Sequence, residues 1–145
     1  MYKHILIPTD GSPLATTAVK HGLEFAKAIG AQTTILTIYE PFRMFTLETE
    51  MLSDTPQIYT EHAKAEGQSV LAKAEVLAKA HGVVCDTVAL EDVHPYEAII
   101  ATAKKHKCDL IIMGSHGRGG IDAILIGSET QKVLTHSKIP VLVYR

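Results

Sequence analysis

Short β-rich runs alternate with helix-length amphipathic segments along this 145-residue chain, and that alternation constrains the fold more than any other feature. Such an order buries each segment when the strands lie parallel in one sheet and the helices cross over its faces. The β-rich runs are residues 3–7, 33–39, 84–90, 110–113 and 139–144. Most are continuous apolar stretches rather than alternating ones, the pattern of strands covered on both faces.

Four helices are expected between them. The first opens with Ser12 as N-cap and Pro13 in the first helical position, and it stops at Gly30. Its small and apolar residues Ala15, Ala18, Val19, Gly22, Leu23 and Ala26 recur at the helical period. The second runs from about residue 57 to residue 81, with Val70, Ala74, Leu77 and Ala78 on one face and Gly82 as its stop. A third begins at Pro95 and turns Ile99, Ile100 and Ala103 inward. The fourth is expected to start with Ser128 as N-cap, because Ser128-Glu129-Thr130-Gln131 matches a capping box, and to end before Pro140. No repeat, linker or low-complexity stretch divides the chain, so residues 1–145 read as one domain.

Composition excludes several classes. A net charge of -2 with a pI of about 6.4 leaves no basic footprint for a nucleic-acid backbone. The apolar runs fall far short of the ~20 residues that span a bilayer. Met1 to His4 lead straight into Ile5-Leu6-Ile7, too short for an export signal, so a cytoplasmic protein is expected. Cys85 and Cys108 show no CxxC spacing and read as small buried thiols.

Two connections are longer than compact domains ordinarily use, residues 40–56 and 114–127. The first is mixed in character and compatible with a flap or a partly helical segment. The second reads Gly114-Ser115-His116-Gly117-Arg118-Gly119-Gly120, then residues 121–126, then Gly127-Ser128. It leaves a strand and feeds a helix N-terminus, where glycines let backbone N–H groups approach an anion and the helix end adds about half a positive charge. Arg118 supplies a cation with a planar fork of donors. The plain alternative is a surface loop whose glycines only make turns. Neither GxxxxGK[ST] nor GxGxxG is present.

The spacing Gly114-x2-Gly117-x9-Gly127-Ser128 resembles the nucleotide motif of the universal stress protein family, in its ATP-binding branch. The opening Ile5-Leu6-Ile7-Pro8-Thr9-Asp10-Gly11-Ser12 looks like that family's first strand and turn, and Ser137-Lys138-Ile139-Pro140-Val141-Leu142-Val143 like its last strand. The resemblance implies an open five-stranded parallel sheet of order 3-2-1-4-5 with helices on both faces, of the adenine nucleotide alpha hydrolase-like kind. It implies ATP, with Mg2+ on its phosphates, at the tips of strands one and four, where the winding reverses. Pro8, Thr9 and Asp10 then stand near the nucleoside end, with Ile38 meeting the adenine through its backbone. Met113, Gly114, His116, Gly117, Arg118 and Gly119 surround ribose and phosphates, and Gly127, Ser128, Glu129 and Thr130 the terminal phosphates. Asp10 also reads as an ordinary turn acid ahead of the Ser12 cap. Glu129 departs from the family pattern, since this position is often small or apolar in nucleotide-binding members.

In the family's order the last run, from Ile139 to Tyr144, is a sheet edge; its apolar character implies a homodimer through it. The eight histidines include no HExxH pair. His94 reads as a helix-start residue, and His21, His62, His81, His106 and His136 as helix-surface or helix-end residues. No His-x-Gly-His signature and no nucleophile–base pair is evident, so no catalytic residue is assigned. The expected role is a stress-linked regulatory module, with a slow ATP hydrolase, an AMP or cyclic-nucleotide sensor, and a ligand-free interaction protein as the alternatives.

Overall fold

The structure, a computed structural model, describes residues 1–42, 55–117 and 126–145. Within them lie β1 (His4–Pro8), α1 (Pro13–Ile29), β2 (Gln32–Tyr39), α2 (Pro56–His81), β3 (Cys85–Glu91), α3 (Pro95–Lys105), β4 (Leu110–Gly114), α4 (Ser128–His136) and β5 (Val141–Tyr144). The strands form one sheet in the order β3-β2-β1-β4-β5, and every neighbouring pair is parallel. This is the expected α/β architecture, and the strands begin or end within a residue or two of the apolar runs.

Local signals account for the first two helices. Ser12 Oγ accepts the Ala15 N–H at 3.3 Å, Pro13 follows, and Gly30 ends α1 in the left-handed region at φ 70°. All six residues of its expected apolar face are buried. Thr55 caps α2 through Ile58 N–H at 3.2 Å, and Gly82 ends it at φ 66°. The buried stripe of α2 is Gly67, Leu71, Ala74 and Ala78, while Val70 and Leu77 flank it half-buried. The expected face is therefore rotated toward Leu71, because α2 packs on β2, β3 and α1 together rather than on one neighbour.

Two apolar layers sandwich the sheet, as alternate strand residues dictate. On one face Ile5, Ile7, Ile35 and Ile112 pack with Val19 and Leu23 of α1 and Leu71, Ala74 and Ala78 of α2. On the other, Leu6, Leu36, Ile111 and Met113 pack with Ile99 and Ala103 of α3 and Val133 of α4. Full burial of such side chains contributes about 1.5–3 kcal/mol each. Cys108 belongs to the second layer, and burial, with Asp109 nearby, pushes its thiol up to about 11. Cys85, on the edge strand β3, is only half-buried, which corrects the expectation of two buried thiols. At the amino ends of the strands, His4 is buried with Nε2 2.8 Å from Thr34 Oγ1, and the Asp109 carboxylate accepts the N–H groups of Lys3 and His4.

The last strand is shorter than expected. Ile139 and Pro140 precede β5 rather than belonging to it, so the edge runs over Val141–Tyr144. Proline has no N–H to give a ladder. Its carbonyl still accepts from Ile111 N at 3.0 Å, and Ser137 turns the chain by bonding Ile139 through both its N–H and its C=O.

Candidate functional site

The winding of the sheet reverses between β1 and β4. From β1 the chain crosses to α1 on one face, and from β4 to α4 on the other, so a crevice opens beyond their carboxyl ends. A cavity of about 480 Å³ lies there, within the size range of small-molecule sites.

Each bordering element contributes to its wall. From β1 come Pro8 and the following Thr9 and Asp10, and from β2 come Leu36 and Ile38, with Glu40 beyond. Met113 and Gly114 end β4, and His116 and Gly117 follow them. The returning limb brings Gly127, Ser128, Glu129 and Thr130. Twelve of the fourteen residues singled out from the sequence thus surround one cavity. The other two, Arg118 and Gly119, lie outside the described residues, as do Gly120 and most of the 40–56 connection. Sequence reasoning missed Ala15, Leu36, Glu40, Pro95 and Ile99. The helical ones face the cavity only because α1 and α3 pack over it, which no local pattern announces.

Hydrogen bonds clasp the two limbs of the glycine-rich loop. Gly127 donates its N–H to Ser115 O at 2.7 Å, and Thr130, buried, donates its hydroxyl to Gly114 O at 3.0 Å. Ser115 N–H in turn reaches Tyr144 O at 2.7 Å, tying the loop to the edge strand. The approach is close enough that a Cβ on Gly127 would lie 3.1 Å from His116 Cα. A Cβ on Gly117 would run into Asp10 Oδ2. Neither glycine has positive φ, so close approach, not a left-handed backbone, is what excludes a side chain there.

Asp10 combines the two roles open to it. Its Oδ1 accepts the Ser12 N–H at 2.9 Å, as a turn acid does, while the residue also lines the cavity. His116 lines the cavity with Nδ1 3.2 Å from Ser115 Oγ. His94 is the N-cap residue of α3, in keeping with its expected place at a helix start.

The start of α4 differs from expectation. Gly127 is the N-cap and Ser128 the first helical residue, and no side chain caps the helix, so the capping box does not form. Glu129 turns instead to another helix. Its Oε2 accepts the Tyr96 N–H of α3 at 2.9 Å, and its Oε1 accepts from Lys132 Nζ at 3.2 Å. It thereby caps α3, whose own N-cap residue His94 makes no side-chain bond. The one available signal was that Pro95 opens a helix without a Ser, Thr, Asp or Asn before it.

Pro8, Ile38, Ile99 and Met113 give the cavity apolar surface able to cover a planar ring, while the glycine limbs and the first turn of α4 offer polar backbone. Among the described residues no group of three or more His, Cys, Asp or Glu could hold a metal ion.

An open, doubly wound α/β sheet with a cavity at its switch point defines a ligand-binding class of fold. The whole chain, residues 1–145, matches the model of the universal stress protein family. It is 36% identical over 145 residues to universal stress protein MJ0531 of Methanocaldococcus jannaschii, covering 100% of this chain and 83% of that protein. The solved structure of hypothetical protein MJ0577, from the same organism, superposes with a TM-score of 0.81 at 29% identity, covering 99% of this chain and 95% of that one. A universal stress protein solved in complex with cAMP superposes with a TM-score of 0.72 at 26% identity, covering 99% and 97%. The chain belongs to the universal stress protein family.

Proposed function

We propose that this protein binds ATP in the cavity beyond β1 and β4 and serves as a stress-linked regulatory module in the cytoplasm, residues 1–145 acting as one domain. The observation that carries the reading is convergence. Asp10, Ile38, Gly114, Gly117, Gly127 and Ser128, far apart in sequence, line one cavity of about 480 Å³. On this reading Ile38 lies at the adenine, Pro8, Thr9 and Asp10 at the nucleoside end, and Met113, Gly114, His116 and Gly117 along ribose and phosphates. Arg118 and Gly119 extend that stretch. Gly127, Ser128, Glu129 and Thr130 meet the terminal phosphates, aided by the positive end of α4. No residue is assigned a catalytic role.

Mg2+ fits this site only as a cation carried by the ligand. The described residues offer no cage of three ligands, and Mg2+ commonly uses one or two carboxylates with substrate phosphates and retained waters. Of the lining residues Asp10, Glu40 and Glu129, Glu129 stands in the first turn of α4, and the cation would neutralise phosphate charge there.

Small molecules released from the purified, denatured protein and identified by mass spectrometry test the reading, with calorimetric titration of the emptied protein. An adenine nucleotide is expected in the first and saturable binding of ATP in the second. No adenine compound and no binding heat would overturn it. The cAMP complex of the 26% identical neighbour favours a second reading, an AMP or cyclic-nucleotide sensor, and titration with all three nucleotides ranks them.

The reading includes a homodimer through β5. This edge strand leaves backbone groups for pairing, and Leu142 is 41% exposed, with Leu134 and Ile126 also exposed. Light scattering at micromolar concentration should return twice the 15.8 kDa chain mass. A monomer mass would refute the pairing.

A further inference from the structure

We propose that Glu129 grades adenine nucleotides by the charge on their phosphate chain, admitting a monophosphate freely and a free triphosphate only when a divalent cation accompanies it. The inference rests on the nucleotide reading above and names the residue that sets which nucleotide the site prefers. Glu129 lines the cavity beside Ser128 and Thr130. Its carboxylate is held in place, with Tyr96 N–H on Oε2 at 2.9 Å and Lys132 Nζ on Oε1 at 3.2 Å.

Swinging the carboxylate away would uncap α3, because the N-cap residue His94 makes no side-chain bond of its own. Lys132 is itself positioned, its Nζ 5.5 Å from the centre of the Tyr96 ring. The carboxylate of this cavity-lining residue is therefore pinned in place, and a partly buried charge is screened less by salt than a fully exposed one. A monophosphate places little charge near it. A triphosphate carries more charge and carries it farther along the cavity, toward the first turn of α4. A divalent cation removes the conflict, since a single carboxylate can share it with phosphate oxygens and water.

The test is calorimetric titration with ATP and with AMP, each in chelator and in Mg2+, on the parent, Glu129→Gln and Lys132→Met. Glutamine keeps the side-chain length and an oxygen to accept the Tyr96 N–H. In chelator the parent should bind AMP several-fold more tightly than ATP, and Mg2+ should narrow or reverse that ratio. Glu129→Gln should raise ATP affinity in chelator several-fold while AMP affinity changes less than twofold. Lys132→Met leaves the acid less neutralised and should move the ratio further against ATP. Should Glu129→Gln fail to fold, the Lys132→Met ratio decides. An ATP-to-AMP ratio in chelator that neither variant alters would overturn the proposal while leaving the nucleotide site intact. Failure of the parent to bind either nucleotide would instead remove the nucleotide reading, and this inference with it.

Discussion

Of the helices that begin at the cavity, α1 beyond β1 and α4 beyond β4 begin in opposite ways. At α1 the cap is Ser12, whose hydroxyl accepts the Ala15 N–H, and the preceding Asp10 accepts the Ser12 N–H. These two bonds join residues no more than three positions apart, so the cap is local. At α4 the cap is Gly127, which has no side chain to accept a hydrogen bond. The preference for Ser, Asn or Asp at this position yields to space, because a Cβ there would crowd His116 at 3.1 Å. The acid of the α4 first turn, Glu129, caps α3 rather than its own helix. A helix start that satisfies itself can be read locally, whereas one shaped by a neighbouring limb cannot. The second kind leaves polar backbone at the cavity, where a ligand can use it.

The largest effect should come from giving the α4 cap position a branched side chain. In Gly127→Val the new Cβ would meet His116 Cα at 3.1 Å and Ser115 O at 3.3 Å, and the branched methyls extend further. The limbs must separate, loosening the 2.7 Å Gly127–Ser115 bond that closes the loop. Nucleotide affinity should fall tenfold or more, about 1.4 kcal/mol, while the sheet stays folded by circular dichroism because neither apolar layer includes Gly127. An ATP titration indistinguishable from that of the parent would show that closure of the two limbs does not matter to the site.

The same contrast explains what could be read from the sequence. The α1 face, its cap, both glycine stops and the inward residues of α3 follow from periodicity and local chemistry, and the structure agrees at each. The strand order came from resemblance, since a parallel sheet of five strands has several right-handed windings open to it. The start of β5 moved at Pro140, whose missing N–H delays the strand although its carbonyl accepts from Ile111. The stripe of α2 turned toward Leu71 because three elements, not one, receive it. The Glu129–Tyr96 bond joins residues 33 positions apart. Only the packing of α3 against α4 brings them together, so no window of sequence contains the signal.

The smallest effects separate the two starts most sharply, through one substitution made at each. Ser12→Ala removes an oxygen that a buried N–H uses, and the reference cost of losing such a cap is about 1 kcal/mol. For a chain of this size that corresponds to a melting temperature lower by roughly 3–4 °C. Ser128→Ala should leave stability within about 0.5 kcal/mol, since Ser128 occupies the first helical position rather than the cap and alanine suits a helix. Affinity should respond in the reverse sense. Ser128 stands on the cavity wall at the proposed phosphate end, so its loss should weaken ATP binding several-fold. Ser12 is absent from that wall, and its N–H remains to hold Asp10, so its loss should change affinity less than twofold. Thermal melts and titrations of the two variants check both halves. Equal losses of stability would return Ser128 to the role of a cap and erase the distinction between the two helix starts.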